Sequence, residues 1–301
     1  MKPYRIAIAS CHEVPELWAG ECLLPPALQA LGVQTAVCVW DDPAVCWQDF
    51  DAVVVRCTWD YHLKLDAFLD WLSTLEQLHV PLINDVDTLR ENVDKSYLLA
   101  LQDAGLPVIP SLLLRPDDRR SVPTLMDALG CDDVVVKPAR SAGAWRTLHL
   151  HRSSLANDQA DFAVWRLEQD FLLQPFMSEV VSEGEWSMVV LGGVFSHAVL
   201  KRAKPGDFRV QSLHGGSAHL ANAPASLQAQ ALEILATLPT MPCYARVDGV
   251  VRGDQFLLME LELVEPELFL ELDAGAPRAL AQAVLAVLVR LRSACVALPR
   301  C

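Results

Sequence analysis

The stretch Tyr244-Ala-Arg-Val-Asp-Gly-Val-Val-Arg-Gly-Asp-Gln-Phe-Leu-Leu-Met-Glu-Leu-Glu-Leu-Val-Glu-Pro266 has the pattern of a β-hairpin. Both arms alternate with the two-residue period of a strand, and Gly253-Asp254 between them is a turn dipeptide. A turn of about three residues would place Asp248 opposite Glu260, with Glu262 on the same face and the intervening leucines toward the core. Three carboxylates therefore crowd one face of a sheet.

Like charges at opposed strand positions destabilise a hairpin, so a cation is expected beside Asp248, Glu260 and Glu262. Hard oxygen ligands without histidine or cysteine favour Mg²⁺ or Mn²⁺ over zinc. The alternative is a solvated acidic face on a surface hairpin, because the whole chain is acidic. The hairpin alone leaves both interpretations open.

Charge and composition exclude several classes of function. The chain has 301 residues, a net charge of −14 and a pI near 4.9. Nucleic acid is not expected as a partner, since its phosphates require a basic surface. We expect a cytoplasmic protein without membrane contact, because no apolar run reaches a membrane span and the N-terminus has a strand pattern. The nine cysteines form no C-x-x-C pair, which disfavours a zinc site or a disulfide framework.

The order of apolar runs predicts the fold class α/β. Residues 1–85 alternate very apolar strands with helices, which predicts a parallel sheet covered on both faces. The shorter strands that follow, with a hairpin at Leu191-Gly-Gly-Val, predict antiparallel α+β structure. We therefore expect an N-terminal α/β domain and two α+β subdomains, at residues 86–174 and 175–301.

Two lysines are placed to project into a cleft. Lys137 ends an apolar strand and is followed by a loop of small residues, and Lys95 lies on a long helix predicted over about residues 87–104. Either lysine would otherwise extend its charge into water.

A basic stretch precedes a glycine pair. Lys201 and Arg209 come before Gly215 and Gly216, and in an acidic chain such a cluster suggests recognition of phosphate or carboxylate. A solvated loop is the alternative. The common phosphate-binding motifs G-x-x-x-x-G-K-[ST] and G-x-G-x-x-G are absent from the sequence, so a nucleotide site would have to be built in another way.

Taken in chain order, these features resemble the ATP-grasp superfamily. They are a lysine, a strand ending in Lys-Pro, then Gln-Pro-Phe, Gly-Glu-x-Ser, a basic Gly-Asp-Phe-Arg stretch and Asp…Glu-x-Glu. Over about residues 86–292 the likeness is to the branch of bacterial glutathione synthetase and ribosomal-protein glutamate ligase. The resemblance implies an ATP-grasp fold, ATP with two Mg²⁺ or Mn²⁺ ions, and an acyl phosphate that an amine displaces.

The resemblance also implies roles for the matching residues. Those that would bind ATP are Lys95, Lys137, Gln174, Pro175, Phe176, Met177 and Glu185. Those that would act at the transferred phosphate are Lys201, Arg209 and Arg246, and the metal ligands would be Asp248, Glu260 and Glu262. Glu262 stands where many members have Asn, so the site carries an extra negative charge.

Substrate choice is expected to lie mainly in the N-terminal domain. Ser10 follows its first strand and Arg56 its third, at the carboxyl ends where α/β sheets bind ligands. Arg56 would clamp a substrate carboxylate or merely pair with an acid. Gly215 and Gly216 are further candidates for substrate contact.

A second resemblance leaves the reaction open. Trp40-Asp-Asp-Pro-Ala-Val, Arg56-Cys-Thr-Trp-Asp-Tyr and Glu260-Leu-Glu-Leu-Val-Glu-Pro resemble the D-cycloserine biosynthetic branch, which uses ATP to close a ring within O-ureido-D-serine. The sequence favours an intermolecular ligase that joins a carboxylate to an amine on a small amino-acid-like substrate, followed by this cyclo-ligase. A non-catalytic ATP-binding regulator ranks third, because a pure binder has no need of the carboxylate cluster. The sequence leaves homo-oligomerisation open.

Overall fold

Three β-sheets organise the residues that the computed structural model describes, 2–155 and 160–297. The first is parallel, with strand order β2-β1-β3-β4. Its strands are β1 Arg5–Ser10, β2 Gln34–Val39, β3 Ala52–Cys57 and β4 Leu82–Ile83. Two helices of this region are α1 Leu24–Ala30 and α2 Leu65–Gln77. Ile6 and Ile8 belong to the same apolar cluster as α1, whereas Ala7 and Ala9 belong to that of α2. The parallel sheet is thus covered on both faces, as predicted.

The second sheet is antiparallel, with strand order β5-β8-β6-β7. It is preceded by α3 Val86–Asn92 and α4 Tyr97–Asp103. Its elements are β5 Leu112–Leu114, α5 Val122–Leu129, β6 Asp133–Pro138, β7 Leu148–His151, α6 Ala160–Trp165 and β8 Phe171–Pro175.

The third sheet is also antiparallel, with strand order β11-β10-β9-β12-β13. Its elements are α7 Glu179–Ser182, β9 Glu185–Leu191, β10 Val194–Arg202, β11 Ser217–Ala221, α8 Ala225–Ala236, β12 Tyr244–Arg252, β13 Gln255–Glu262 and α9 Ala276–Ala297. The last helix returns to pack with α1 on the parallel sheet. Across the described ranges, no helix has the length and apolar character needed to traverse a bilayer.

The β12–β13 hairpin pairs Asp248 with Glu260, as predicted, but through a different backbone arrangement. Arg252 pairs with Gln255, so the turn is shorter than expected and consists of Gly253-Asp254. That turn alone would set Met259 opposite Asp248. A β-bulge next to Asp248 shifts the register by one residue and restores Glu260 to the acidic face.

The single helix predicted over residues 87–104 is wrong, because the chain breaks between α3 and α4. Within the break, an Asp94 carboxylate oxygen accepts the Ser96 N–H at 2.9 Å, which replaces a helical hydrogen bond. The Lys95 N–H instead donates to the Ala139 carbonyl at 2.8 Å, in the loop after β6. Lys95 therefore lies on an interhelical turn beside that loop.

Candidate active site

A cleft of about 980 Å³ lies where the three sheets meet. The second sheet contributes β6 and β8, the third contributes β9, β10, β12 and β13, and the parallel domain contributes the loops that follow β1 and β3. Its volume is at the upper end of the roughly 300–1,000 Å³ typical of small-molecule sites.

Most of the predicted site residues converge on this cleft. Its lining includes Lys95, Lys137, Gln174, Pro175, Phe176, Met177, Glu185, Lys201, Arg209, Gly216, Arg246, Asp248, Glu260 and Glu262. The sequence order that suggested a common site thus corresponds to a common location.

Asp248 lies at the centre of a buried charge network. It is 2% exposed, and it accepts hydrogen bonds from Ser187 Oγ at 2.6 Å, Arg246 Nη2 at 2.9 Å and Lys201 Nζ at 3.2 Å. Lys201 Nζ also pairs with Glu185 Oε1 at 2.5 Å. Burial opposes ionisation, but Arg246 and Lys201 outweigh it and lower the pKa of Asp248 to about 2. Asp248 is therefore ionised at neutral pH.

Two lysines hold the other end of the acidic face. Lys95 Nζ pairs with Glu260 Oε1 at 3.1 Å, while Lys137 Nζ donates to the carbonyl of Met259, the bulge residue, at 3.3 Å. Although burial opposes it, the charges of Lys95 and Lys137 lower the pKa of Glu260. Among the described residues Lys137 makes no ion pair within 4.0 Å, so its remaining N–H donors are available to an anion in the cleft.

Glu262 shares the guanidinium of Arg246 with Asp248. Burial raises the pKa of Glu262 to about 8. The positive charge of Arg246 acts to lower this pKa, and the negative charges of Asp248 and Glu260 act to raise it. The acidic face is thus offset by Arg246, Lys201 and Lys95. The cations expected beside the three carboxylates are therefore present as side chains of the protein.

The donor set nevertheless fits a hard divalent cation. The side chains of Glu260 and Glu262 are 27% and 26% exposed, both line the cleft with Asp248, and all three offer carboxylate oxygens. Over residues 2–155 and 160–297, however, no three His, Cys, Asp or Glu side chains lie close enough together to hold a metal ion. Metal binding would require Asp248 and Glu262 to exchange part of their pairing with Arg246.

An aromatic group also lines the cleft through Phe176 and Phe208. The ring of Phe176 stacks on His149 with centroids 4.0 Å apart, and Phe208 meets Phe176 edge-on at 6.1 Å. Gln174 Nε2 donates to Ser111 Oγ at 2.8 Å, which fixes this side chain beside the apolar surface. Such a surface can receive the flat face of a base.

The basic stretch contributes less free charge than its composition indicates. Arg209 Nη2 pairs with Asp207 at 2.9 Å at the edge of the cleft. Gly216 lines the cleft and leaves no room for a side chain, because a Cβ there would collide with the Val210 carbonyl. Gly215 instead ends a short 3₁₀ turn with φ of 83°. Its predicted role in substrate contact has no support from this position.

For Arg56 the structure supports the second of the two expected roles, pairing with an acid, and Ser10 does not line the cleft. Arg56 is 1% exposed and forms a bidentate pair with Glu21, at 2.8 and 2.7 Å, while donating also to the Pro266 carbonyl. Ser10 is fully buried, with its hydroxyl directed at the Cys38 carbonyl at 3.3 Å. Both side chains point into the packed interior between elements, so neither contacts a ligand in the cleft.

The sequence interpretation missed several other residues that line the cleft. Trp18 and Trp59 follow the first and third strands, and their rings lie 5.6 Å apart. Glu265, Glu267 and Glu271 line the same region from the segment after β13. The available indication was the run Glu265-Pro-Glu267, which directly continues the strand that carries the acidic face.

Comparisons with known proteins place these features in context. The family model described as the N-terminal domain of D-cycloserine synthetase DcsG matches residues 6–84. The cycloserine biosynthesis protein DcsG of Streptomyces lavendulae is 31% identical over 281 residues, covering 87% of this chain and 92% of that protein. The crystal structure of D-cycloserine synthetase DcsG has a TM-score of 0.85 at 28% identity, covering 94% of this chain and 99% of that one. D-alanine–D-alanine ligase from Bacillus anthracis, complexed with ATP, has a TM-score of 0.68 at 16% identity, covering 96% and 99%. That last likeness shows the fold alone.

Proposed function

Because this chain belongs to the D-cycloserine synthetase family of ATP-grasp ligases, we propose that it uses ATP to close a ring within an O-ureido amino acid. The observation that carries the proposal is the likeness to DcsG, which is 31% identical over 87% of the chain. The sequence alone favours an intermolecular ligase. We give the cyclo-ligase precedence because the likeness to DcsG extends to the sequence, whereas the D-alanine–D-alanine ligase shares only the fold.

The proposed reaction has the usual course of an ATP-grasp ligase. The γ-phosphoryl group of ATP passes to the substrate carboxylate and forms an acyl phosphate. A nitrogen of the same molecule then attacks the acyl carbon, and phosphate leaves with the bonding electrons. Such chemistry depends on positioning and on neutralising negative charge, and it requires no protein nucleophile.

The cations of the cleft are distributed to suit this reaction. Lys137 has uncommitted donors for the nucleotide phosphates, and Lys95 lies beside it against Glu260. Arg246, Lys201 and Arg209 would orient the carboxylate and the phosphoryl group. Removal of one such group typically costs about 3 kcal/mol of transition-state stabilisation, by analogy with oxyanion donors.

We propose that Asp248, Glu260 and Glu262 hold two Mg²⁺ ions, for which Mn²⁺ would substitute. The bound metal would offset phosphate charge and polarise the phosphoryl oxygens. Within the protein, this requires Lys201 and Arg246 to turn from Asp248 toward the phosphoryl group. Lys201 and Arg246 are close enough to pair with Asp248 or with a phosphoryl group bound beside it, since both already contact Asp248.

The nucleotide would lie with its base at the aromatic group of the cleft. Phe176 and Met177 would contact adenine, flanked by Gln174 and Pro175, while Glu185 would exchange Lys201 for the ribose hydroxyls. We also propose that residues 1–85 form the substrate side, residues 86–174 the lysine-bearing lobe, and residues 175–301 the metal-binding lobe.

The proposal is tested by measuring phosphate release from ATP with O-ureido-D-serine, with pairs of amino acids, and with ATP alone. We expect release only with the ureido compound, and a cyclic product identified by NMR. Release with amino-acid pairs and formation of a dipeptide would assign the intermolecular reaction instead. Binding of ATP without release in any mixture would indicate a regulator.

A further inference from the structure

Glu265 is a largely buried carboxylate in the cleft that pairs with no other residue in the described ranges. It is 7% exposed, and its side chain makes no hydrogen bond or ion pair with another residue in the described ranges. Burial of an ionisable group is unfavourable unless a partner offsets the lost hydration. An unpartnered carboxylate that lines a ligand cleft therefore indicates a cationic group on the ligand.

The protein cations nearest to Glu265 are already engaged. Lys95 pairs with Glu260, and Arg246 is shared by Asp248 and Glu262. Their charges act on Glu265 from a distance, but neither lies within the 4.0 Å of an ion pair. The Glu265 carboxylate thus lines the cleft near Lys95 and Arg246, which pair with other carboxylates.

Two tryptophans complete a cation-binding environment beside this carboxylate. Trp59 Nε1 donates to the backbone carbonyl of Glu265 at 3.3 Å, which fixes the indole next to it. Trp18 lies against Trp59 and is 44% exposed although it lines the cleft. Indole faces attract cations through the ring quadrupole, so a cleft lined by this carboxylate and two indoles suits an ammonium group.

We propose that Glu265, with Trp18 and Trp59, binds the α-ammonium group of the substrate and restricts the enzyme to free amino acids. The inference rests on the proposed function, which supplies an amino-acid substrate. In an α-amino acid a single carbon separates the ammonium group from the carboxylate. The group that binds the ammonium must therefore lie in the same cleft as the groups that handle the carboxylate, and Glu265 and Arg246 line one cleft.

The protonation of Glu265 agrees with this role. Burial raises the pKa of Glu265 to about 7, although Lys95, Arg246 and Arg56 act in the opposite direction. The Glu265 carboxyl therefore holds a proton to higher pH than an exposed carboxyl does. An ammonium group would stabilise the ionised form, which then provides the complementary charge.

The test is a calorimetric comparison of ligands with and without the ammonium group, in the presence of ADP and Mg²⁺. The pair is O-ureido-D-serine and its des-amino analogue 3-(ureidooxy)propanoic acid. We expect the wild type to prefer the amino compound by about 100-fold (about 2.7 kcal/mol). Glu265→Gln should reduce that preference to less than about threefold while leaving the affinity for the des-amino compound unchanged, and Glu265→Asp should restore part of it.

The matched control is Glu16→Gln, which removes an exposed carboxylate two residues before Trp18 that does not line the cleft and should retain the wild-type preference. Equal ADP affinity and equal melting temperature would show that Glu265→Gln folds normally. D-alanine with propanoate, and D-serine with 3-hydroxypropanoate, extend the test to other substrates. If the wild type ignores the ureido compound but prefers the amino member of another pair, the ring-closing function fails and the ammonium site stands.

Two results would overturn the ammonium site. One is a Glu265→Gln variant that discriminates as strongly as the wild type. The other is a wild type that shows no preference for the amino member of any pair.

Discussion

Substitution of Gly249 by alanine should disturb the register that places Glu260 on the acidic face. Gly249 lies on β12 directly after Asp248, across from the bulge at Met259. A Cβ at Gly249 would lie 2.6 Å from Cζ of Phe256 and would collide with the Leu257 carbonyl. A backbone oxygen and a fully buried ring cannot yield easily. Overpacking of this kind costs about 2 kcal/mol, which corresponds to a fall in melting temperature of roughly 3 °C for a protein of this size.

The same substitution should weaken metal binding. If the strands relieve the collision by shifting, Asp248 no longer pairs with Glu260. We expect the Mg²⁺ concentration for half-maximal phosphate release to rise about 10- to 100-fold, the range observed when groups that orient metal ligands are lost. Thermal unfolding and Mg²⁺ titration of the activity measure the two effects separately.

Gly253→Ala provides the matched control in the same hairpin. Gly253 has φ of +63°, and no atom lies within 4 Å of a Cβ built there. The left-handed backbone should cost about 1 kcal/mol in the variant without altering the Mg²⁺ requirement. A Gly249→Ala enzyme with the wild-type Mg²⁺ dependence would refute the link between the bulge and the metal ligands.

Three further predictions follow from the charges of the molecule. Asp248→Asn and Glu260→Gln should each abolish ATP turnover while circular dichroism shows an intact fold; near-normal phosphate release in either would contradict the assigned site. The pKa of Glu262 in the folded protein, about 8, lies above its unfolded value, so the stability it contributes is complete in acid and is lost as the pH rises through 8. Without metal, melting temperatures measured from about pH 6 to about pH 9 should therefore fall less in Glu262→Gln than in the wild type. Arg56→Met should lower the free energy of unfolding by about 3–5 kcal/mol, because it leaves Glu21 buried and unpaired. The KM for substrate of Arg56→Met should stay unchanged in folded enzyme, and a selective rise in KM would restore Arg56 as a ligand residue.

The features that sequence could predict are those set by local periodicity. Alternation along the hairpin predicted that Asp248 faces Glu260, and the apolar runs of the first domain predicted a parallel sheet. The sequence did not predict the turn length or the bulge, because a two-residue turn with a bulge and a three-residue turn give the same pairing of Asp248 with Glu260. The helix break at Lys95 was missed because Asp94 competes locally with a strong helical pattern.

The features that sequence could not predict depend on contacts between distant segments. Position at a strand end suggested that Arg56 faces ligand, but Glu21 and the Pro266 carbonyl cover it from elsewhere in the chain. Likewise Trp59 and Glu265 are 206 residues apart in sequence and meet only in the folded protein. Neither residue type nor spacing carries that information.

Buried hydrogen bonds between the parallel domain and the five-stranded sheet bear on how the cleft opens. Asn84 donates to the carbonyls of Tyr244 and Leu263, and the Tyr244 hydroxyl lies 2.7 Å from the Val55 carbonyl. These bonds fasten the parallel domain to the five-stranded sheet. The second sheet contacts that body through the Lys137–Met259 hydrogen bond and through Leu172, which packs in the core of the five-stranded sheet. We therefore expect the part of the cleft formed by the parallel domain and the five-stranded sheet to keep its shape when nucleotide binds or leaves.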